Sequence, residues 1–315
     1  MGHALARRHI LALAGAAGAT PARAQKIPRI GILFTADMEP TWTLLRRAMT
    51  DRGYIEGRSV TYEYRAAAGS PNDLEARAQA LVDSKVDVIV PVLSPAIAAA
   101  KARTSSIPIV FNGAALYAGM VSNMARPEGN MTGVSGVSAG LGGKALQIFH
   151  EVRPTKLFGL LLNATDPFHI TLQRELEIVA KAEGIELVLG HLKSREELAS
   201  AVEEMARRAV DGVLVQPSLG VEAAAALALK HRLPAISFRR DFVTAGGLLS
   251  YGSDQVEINR AVAAYVDRIL KGARVADLPV VQTSKVELVI NQKTARAFGI
   301  VFPPLILGIV DEVIE

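Results

Sequence analysis

The sequence predicts an α/β protein with two similar lobes, each built on a doubly wound parallel sheet. The chain has 315 residues, which is too long for one core of ordinary size. Short apolar runs alternate with longer amphipathic segments, as in βαβ units around a parallel sheet. Segments of the first half also recur in the second half at a nearly constant offset, which favours two lobes of similar build.

The first half of the chain establishes the alternation of strands and helices. Apolar or alternating runs typical of strands cover residues 29–34, 59–64 and 86–90. Helical spacing of apolar side chains is found at residues 41–52 and 70–84. The second of these helices begins with a serine and a proline, which suit a helix cap and a first helical turn.

A repeated pattern links the two halves of the chain. Asp87 and Asp211 each lie in a predicted buried strand, and a serine follows each of them seven residues later, at Ser94 and Ser218. Each copy continues into an alanine-rich helix and a further strand. The matched segments are offset by 124 to 128 residues. Although all βαβ units share a rhythm, this offset favours two related lobes, whose strand ends would face each other across a ligand cleft.

Composition excludes several functional classes. The chain has no cysteine, which excludes disulfides, thiolate metal sites, a cysteine nucleophile and a lipid-anchoring cysteine. Three of its 35 basic residues lie in the first 24 positions, which contain no acid, and the other 32 nearly balance 31 acidic residues. We therefore expect no nucleic-acid partner. The histidines show no metal-ligand spacing, and we expect neither a metal nor another cofactor.

Residues 1–24 have the three parts of a secretory signal in the right order. Arg7 and Arg8 form the positive region, residues 10–19 form a short apolar run, and an Ala-x-Ala site predicts cleavage after Ala24. The paired arginines fit either the general secretory route or the twin-arginine route. Both routes predict a protein of the periplasm.

Several motifs occur along the chain in an order that resembles a known protein family. They are GYIEG at 53–57, VDVIV at 86–90, IPIVF at 107–111, RPEGNMTG at 126–133, AGGLLSYG at 245–252, and a tail from ILKGA at 269–273 to DEVI at 311–314. Together they resemble the ABC transporter substrate-binding protein family that includes tryptophan- and tyrosine-binding members. One departure follows residue 111, where the family commonly has Gly-Asp-Pro and this chain has Asn-Gly-Ala-Ala.

The resemblance implies a type I periplasmic-binding-protein fold with a multi-strand hinge. It implies a first lobe of residues 25–137 plus about 253–280, and a second lobe of residues 138–252 plus about 281–315. The implied function is that of a substrate-binding protein of an ABC-type importer, which closes on its ligand by a hinge motion. Such a protein is a non-enzymatic monomer that captures a small molecule, here an amino acid and possibly an aromatic one, and passes it to ABC permease subunits.

Two other functions stay open at this point. A periplasmic sensor subunit, which passes the ligand signal to a membrane receptor, would have the same fold. An esterase-like hydrolase would use Ser138, because residues 136–140 match the Gly-x-Ser-x-Gly motif of a nucleophile elbow. That motif needs a strand before it, whereas residues 131–135 are short and broken by glycine. A glycine-rich crossover between the lobes explains the match better.

Candidate ligand-binding residues lie at the ends of the predicted strands. Ser94 and Pro95 begin a helix whose free N–H groups and dipole form an anion site. Ser218 is the equivalent residue in the second copy, and the nearby Gln216 offers both a donor and an acceptor. The alternative is helix packing for Trp42, a surface loop for Ser218, and a role at the start of a helix for Ser94, Asp166 and Asp254. The remaining candidates are Phe34, Thr35, Asp37, Trp42, Asn112, Ser135, Asn163, Asp166, Phe238, Tyr251 and Asp254; Arg239 also falls at a strand end.

Overall fold

The structure is a computed structural model that describes residues 26–67, 71–136 and 140–315. The predicted export signal lies outside these residues. The first part of the chain contains β1 (Arg29–Phe34), α1 (Glu39–Thr50), β2 (Thr61–Ala66), α2 (Pro71–Asp83), β3 (Val88–Pro91), α3 (Ser94–Arg103), β4 (Ile109–Asn112) and β5 (Met131–Ser135).

The rest of the chain repeats the alternation and then returns to the first part. The repeat contains α4 (Leu141–Val152), β6 (Leu157–Asn163), α5 (His169–Glu183), β7 (Glu186–Leu192), α6 (Leu198–Arg207), β8 (Gly212–Val215), α7 (Val221–Lys230), β9 (Ala235–Ser237), α8 (Arg240–Thr244) and β10 (Leu249–Ser253). The final elements are α9 (Gln255–Leu270), β11 (Val281–Gln282), β12 (Val286–Asn291), α10 (Gln292–Phe298), α11 (Pro304–Leu307) and β13 (Glu312–Ile314). None of the helices in the described ranges is long and apolar enough to cross a membrane.

The strands form two sheets with the same central order. The first sheet has the order β11-β5-β4-β3-β1-β2, and the second has the order β13-β12-β10-β9-β8-β6-β7. In each sheet, five parallel strands follow the doubly wound order 2-1-3-4-5. We call each sheet with its packed helices a lobe. The predicted α/β fold with two similar doubly wound lobes is confirmed.

The repeated aspartates have the same structural role in both lobes. The Asp87 carboxylate accepts a hydrogen bond from the Arg29 N–H over 2.8 Å, at the start of β1. The Asp211 carboxylate accepts hydrogen bonds from the Lys156 and Leu157 N–H groups over 2.8 and 3.0 Å, at the start of β6. Each aspartate therefore satisfies backbone donors where the first strand of its lobe begins. This shared requirement explains why the sequence pattern repeats.

The chain passes between the lobes three times: from β5 to α4, from β10 to α9, and from β11 to β12. Helix α9 packs against α1, so that Ile258 lies in the core of the first lobe. The passages lie side by side, since Ser253 Oγ donates to the Gly136 carbonyl over 2.6 Å. The Asp254 N–H likewise donates to the Lys285 carbonyl over 3.2 Å. Backbone and side-chain bonds of this kind join the three passages into one hinge.

Two boundaries differ from those expected from the sequence. Strand β11 pairs with β5 and belongs to the first sheet, although the predicted boundary near residue 281 assigned it to the second lobe. Strand β2 begins at Thr61 rather than at residue 59 because Ser59 belongs to the preceding turn. There the Ser59 hydroxyl accepts a hydrogen bond from the Ile55 N–H over 2.8 Å.

Candidate functional site

A cavity of about 70 Å³ lies between the lobes, at the carboxyl ends of the parallel strands. This is the place where doubly wound sheets bind their ligands. Both lobes contribute to its walls, and residues beside the hinge close it. Its polar wall residues include Ser94, Asn112, Asp166, Gln216, Ser218 and Arg239, and its apolar ones include Leu93, Ala114, Phe168, Pro217, Phe238 and Ile258.

The buried carboxylate of Asp166 is the centre of the polar wall. Its Oδ2 accepts hydrogen bonds over 2.7 Å from Gln216 Nε2 and from Ser218 Oγ. Its Oδ1 accepts a hydrogen bond from the Phe168 N–H over 3.0 Å. The Ser94 side chain, from the first lobe, faces this carboxylate and favours its ionised form. The two serines of the repeated pattern, one from each lobe, therefore converge on one acid.

Burial dominates the electrostatics of Asp166. Loss of hydration raises the pKa of the Asp166 carboxyl above its ordinary value, although the hydrogen bonds from Ser218 and the Phe168 N–H oppose the shift. Within the described part of the chain, no lysine or arginine forms an ion pair with Asp166. A buried carboxylate without such a partner would stabilise an ammonium group of a ligand.

The turn that leads into α3 has a strained backbone. Leu93 has a φ of 69°, a conformation that costs a non-glycine residue about 1–3 kcal/mol. Gly113 packs against this turn, because a Cβ at Gly113 would lie 3.1 Å from Leu93 Cα. No side chain caps the N-terminus of α3, and Ser94 at that terminus lines the cavity. This end of the cavity therefore offers the positive end of a helix dipole to an anionic group.

Asn112 carries a donor without a partner. Its side chain is 5% exposed, and its Nδ2 is buried without a hydrogen-bond acceptor among the described residues. Its carbonyl accepts a hydrogen bond from the Leu93 N–H over 2.8 Å, which ties Asn112 to the start of α3. A buried unsatisfied donor costs about 1–3 kcal/mol, so a ligand acceptor bound here would relieve that cost.

Arg239 joins the two lobes beside the cavity. Its Nε donates to both carboxylate oxygens of Asp241 over 2.9 and 3.1 Å, and its Nη2 lies 2.6 Å from Asp241 Oδ2. The Nη2 also donates to Thr41 Oγ1, in the first lobe, over 2.7 Å. The side chains of Arg239 and Asp241 are 6% and 13% exposed, so water screens this pair little. Sequence reasoning located Arg239 at a strand end without finding these partners.

Ten of the predicted ligand-binding residues lie at this cavity or at a neighbouring one. Thr35, Pro95 and Asn163 line an adjoining cavity of about 300 Å³. Asp37 lines another cavity of about 170 Å³ and is exposed, and it accepts a hydrogen bond from the Tyr64 hydroxyl over 3.0 Å. Ser218 and Pro95 both border the 300 Å³ cavity. The predicted residues that line the cavity at the hinge are Ser94, Asn112, Asp166, Gln216, Ser218 and Phe238.

Other predicted residues lie away from the cavities. Phe34 and Trp42 are buried in the core of the first lobe, where Trp42 packs edge-on against Tyr62 with ring centroids 4.9 Å apart. Ser135 is buried in β5, and its carbonyl accepts a hydrogen bond from the Thr283 N–H over 3.1 Å. For Trp42, the packing that the sequence left as the alternative is what the structure has.

Tyr251 and Asp254 also have structural roles, in packing and in helix capping. Tyr251 packs against the core of the second lobe. The Asp254 carboxylate caps α9 by accepting hydrogen bonds from the Val256 and Glu257 N–H groups over 2.7 and 3.2 Å. It also pairs with Lys285 Nζ over 2.6 Å, at the hinge. Asp254 is therefore a helix cap tied to the hinge rather than a wall of the cavity.

Sequence reasoning missed several apolar or neutral walls of the cavity, among them Phe168, Gln255 and Ile258. Phe168 follows Asp166 by two residues, and this proximity was the available signal. Gln255 and Ile258 come from α9, which returns to the first lobe late in the chain. An apolar position on a helix has the same pattern whether it faces a core or a ligand, so no sequence signal separates the two.

Comparison with known proteins identifies the family. Residues 38–314 match the model of the family described as ABC transporter substrate binding protein. The chain belongs to this family. Its members are binding proteins rather than enzymes in general, and they are exported to the periplasm or the cell exterior.

Solved structures of similar proteins have the same two-lobed fold. The chain is 25% identical to a conserved domain protein of Vibrio cholerae, with a TM-score of 0.83 over 91% of this chain and 100% of that one. It is 25% identical to an ABC domain of Streptococcus pneumoniae in complex with L-Trp, with a TM-score of 0.81 over 91% and 99% of the two chains. It is also 23% identical over 260 residues to the tyrosine-binding protein of Clostridioides difficile, which covers 80% of this chain and 74% of that protein.

A strand and a helix flank the Gly-x-Ser-x-Gly motif, although residues 131–135 are a short run broken by glycine. Strand β5 precedes it and α4 follows it. Ser138 itself lies outside the described residues. Because β5 belongs to the first sheet and α4 packs on the second lobe, the motif falls on a passage between the lobes of a substrate-binding protein.

Proposed function

We propose that this protein is the periplasmic ligand-binding subunit of an ABC-type importer and that it captures an amino acid between its lobes. It acts as a monomer and delivers the amino acid to the permease subunits in the membrane. Two similar proteins support this ligand class. One was solved in complex with L-Trp, and the other is named a tyrosine-binding protein. Identities of 23% and 25% leave the side chain of the ligand open.

The convergence of polar groups from both lobes on one buried cavity carries the proposal. Asp166 binds the ligand ammonium, because no lysine or arginine in the described part of the chain pairs with its buried carboxylate. Asn112 Nδ2 and the N-terminus of α3 at Ser94 bind the ligand carboxylate. An α-amino acid carries both of these charges on one carbon, so it satisfies both ends of a small site.

A ligand between the lobes favours their closed arrangement. Arg239 bonds to Thr41 across the cleft, and Ser94 of the first lobe faces Asp166 of the second. A bound amino acid adds contacts to both lobes that exist only when the cleft is closed. Its binding free energy therefore shifts the population toward the closed state, which is the form that a permease would recognise.

The proposal is tested by thermal shift with the chain purified from Gln25 onward. A ligand at 100 times its dissociation constant adds about 2.7 kcal/mol of stability. That stability raises the melting temperature by a few degrees in a protein of this size. Asn112→Leu and Ser94→Ala should weaken the response, whereas Ser106→Ala, at an exposed loop serine, should leave it unchanged. A screen of all twenty amino acids without a saturable shift would contradict the proposal.

The importer role is tested separately, in cells. Deleting the gene should abolish uptake of the amino acid that the purified protein binds. Normal uptake together with a lost transcriptional or chemotactic response to the same amino acid would favour a sensor subunit instead.

A further inference from the structure

We infer, resting on the proposed function, that the side chain of the ligand lies in the adjoining cavity of about 300 Å³ and is polar and uncharged. The hydroxyl of Thr35 and the amide of Asn163, one from each lobe, recognise an oxygen atom on that side chain by hydrogen bonds. The protein therefore selects an amino acid with an amide or a hydroxyl over an apolar one of similar size.

The cavity at the hinge leaves no room for a side chain. Its volume is about 70 Å³, and a water-sized group occupies about 30 Å³, so the ammonium, α-carbon and carboxylate of an amino acid take up all of it. Ser218 is a wall of both this cavity and the 300 Å³ cavity, and Pro95 of the larger cavity directly follows Ser94 of the smaller one. A ligand held at Asp166 and Asn112 therefore extends its side chain into the larger cavity.

Thr35 and Asn163 occupy matching places in the two lobes. Thr35 follows the run GILF at residues 31–34, and Asn163 follows the similar run GLLL at residues 159–162. These runs lie in β1 and β6, which have the same position in their sheets, and both side chains line the 300 Å³ cavity. A ligand that bonds to both therefore contacts both lobes, as closure on a ligand requires.

Both side chains have hydrogen-bonding capacity left over. Thr35 is 6% exposed, and its hydroxyl has no hydrogen-bond partner among the described residues. Asn163 Oδ1 accepts hydrogen bonds from the Thr165 N–H over 3.0 Å and from the Thr165 hydroxyl over 2.7 Å, which orients the amide. Asn163 Nδ2 then has two donors and no acceptor within the same part of the chain. Neither group is sealed from solvent, so a ligand that displaces water from them must replace the lost hydrogen bonds.

The charges around the cavity disfavour an ionised side chain. Among the described residues that line it, Glu75 is the one charged group, and its carboxylate pairs with Arg103. An anionic side chain would therefore find no cation there. A cationic one would meet a carboxylate that is already paired, and it would leave the donors of Thr35 and Asn163 without an acceptor. An uncharged amide or hydroxyl satisfies these donors, while the alanines of α3 that line the cavity leave room for its apolar atoms.

Titration calorimetry on the chain, stripped of ligand by unfolding and refolding, tests this specificity with all of the common amino acids. Two sets are matched in size: glutamine, glutamate and methionine differ at the end of the side chain, and tyrosine and phenylalanine differ by one hydroxyl. In the set that binds more tightly, the neutral polar member should bind about tenfold or more tightly than its apolar counterpart, because a site built to hydrogen-bond a group rejects the analogue that lacks it. Glutamate should bind more weakly than glutamine. The tighter set also shows whether the recognised oxygen belongs to an amide or to a hydroxyl.

Three substitutions connect the preference to the two side chains. Thr35→Val removes the hydroxyl with little change of shape and should lower the polar-to-apolar ratio severalfold, whereas Thr35→Ser should keep it. Because the Thr35 hydroxyl has no partner to lose within the described residues, Thr35→Val should not lower the melting temperature of the ligand-free chain. Thr61→Val, at the start of β2 and outside the cavity walls, is the matched control and should leave the ratio unchanged. Asn163→Asp keeps the oxygen that Thr165 binds but removes the donors, so it should also lower the ratio.

Circular dichroism identifies the variants that fold, and Asn163→Asp alone carries the test if Thr35→Val does not. A charged or an apolar amino acid binding to the unmodified chain as tightly as the best neutral polar one would overturn the inference while leaving an amino-acid binding protein. A ratio unchanged by the folded variants would also overturn it, because the two side chains would then not select the ligand. No binding of any amino acid would instead contradict the proposed function itself.

Discussion

Arg239 and Thr41 are 198 residues apart in the chain and form a hydrogen bond across the cleft, from Nη2 to Oγ1 over 2.7 Å. Both residues are buried. The guanidinium is already paired with Asp241 in its own lobe, so the threonine supplies an acceptor from the opposite lobe. The bond therefore stabilises the arrangement in which the two lobes lie close together.

Replacing Thr41 by valine removes the acceptor and preserves the shape of the side chain. A hydrogen bond to a charged group contributes about 1.5–3 kcal/mol, so we expect the closed state to lose that much. Ligand affinity should fall by about tenfold for each 1.4 kcal/mol lost. Calorimetry measures the affinity, and small-angle scattering should show a larger radius of gyration without ligand. Thr43→Val, at an exposed threonine of the same helix, is the matched control; equal results for the two variants would show that the bond does not hold the lobes together.

The pH dependence of stability should report the burial of Asp166. Burial raises the pKa of the Asp166 carboxyl, so the folded protein holds this proton more tightly than the unfolded chain does. The resulting stabilisation is fully present below the unfolded pKa of about 3.9 and is lost as the pH rises through the raised pKa. The free energy of unfolding of the unmodified chain should therefore fall relative to that of Asp166→Asn as the pH increases over this window.

Ligand binding should have the opposite pH dependence, because an ammonium group prefers the ionised carboxylate. Affinity for an amino acid should rise over the same window in the unmodified chain and stay flat in Asp166→Asn. Urea unfolding and calorimetry at matched pH values measure the two effects. A stability difference that is constant with pH would mean that Asp166 titrates alike in the folded and unfolded chains.

Asp254 contributes to the hinge in two ways, as the cap of α9 and as the ion-pair partner of Lys285. Two substitutions separate these contributions. Burial alone would raise the pKa of this carboxyl, but hydrogen bonds from Lys285 and from the backbone of α9 lower it below its ordinary value. Its contribution to stability is therefore present above the unfolded pKa and is lost as the pH falls through the folded one. Asp254→Ala should cost about 0.5–2 kcal/mol in urea unfolding at neutral pH, whereas Asp254→Asn keeps a good cap and should cost less. Equal costs would assign the stability to the Lys285 pair alone.

The fold was predictable from the sequence because its signals are local. The paired aspartates Asp87 and Asp211 recur because each lobe needs an acceptor for the backbone donors at the start of its first strand. The spacing of apolar residues along the strands and helices is a local signal too, because it follows from which side of each element is buried against the parallel sheet. Exact boundaries were harder to predict, as β2 shows, because backbone bonds and the Ser59 hydroxyl extend the preceding turn into the alternating run.

The site was predictable only where it followed the repeat. Ser94 and Ser218 were found because they occupy matching positions, and the structure brings both to Asp166. Trp42 has a side chain suited to a ligand, but α1 turns it toward the core. The partners of Arg239 come from a distant helix, and no spacing along the chain encodes that contact.

Gly252 couples the hinge to the cavity, and its replacement by alanine should disturb both. The added Cβ would overlap the main-chain carbonyl of Phe238, and the side chain of Phe238 forms a wall of the cavity. Overpacking of this kind costs about 1–3 kcal/mol, so we expect a lower melting temperature together with weaker ligand binding. Gly308→Ala is the control, because its nearest neighbour would be 3.5 Å away and alanine favours the helical conformation found there. If Gly252→Ala lowers the melting temperature but leaves the affinity unchanged, the main chain at Phe238 can relax without moving the wall, and the cavity is less rigid than its packing indicates.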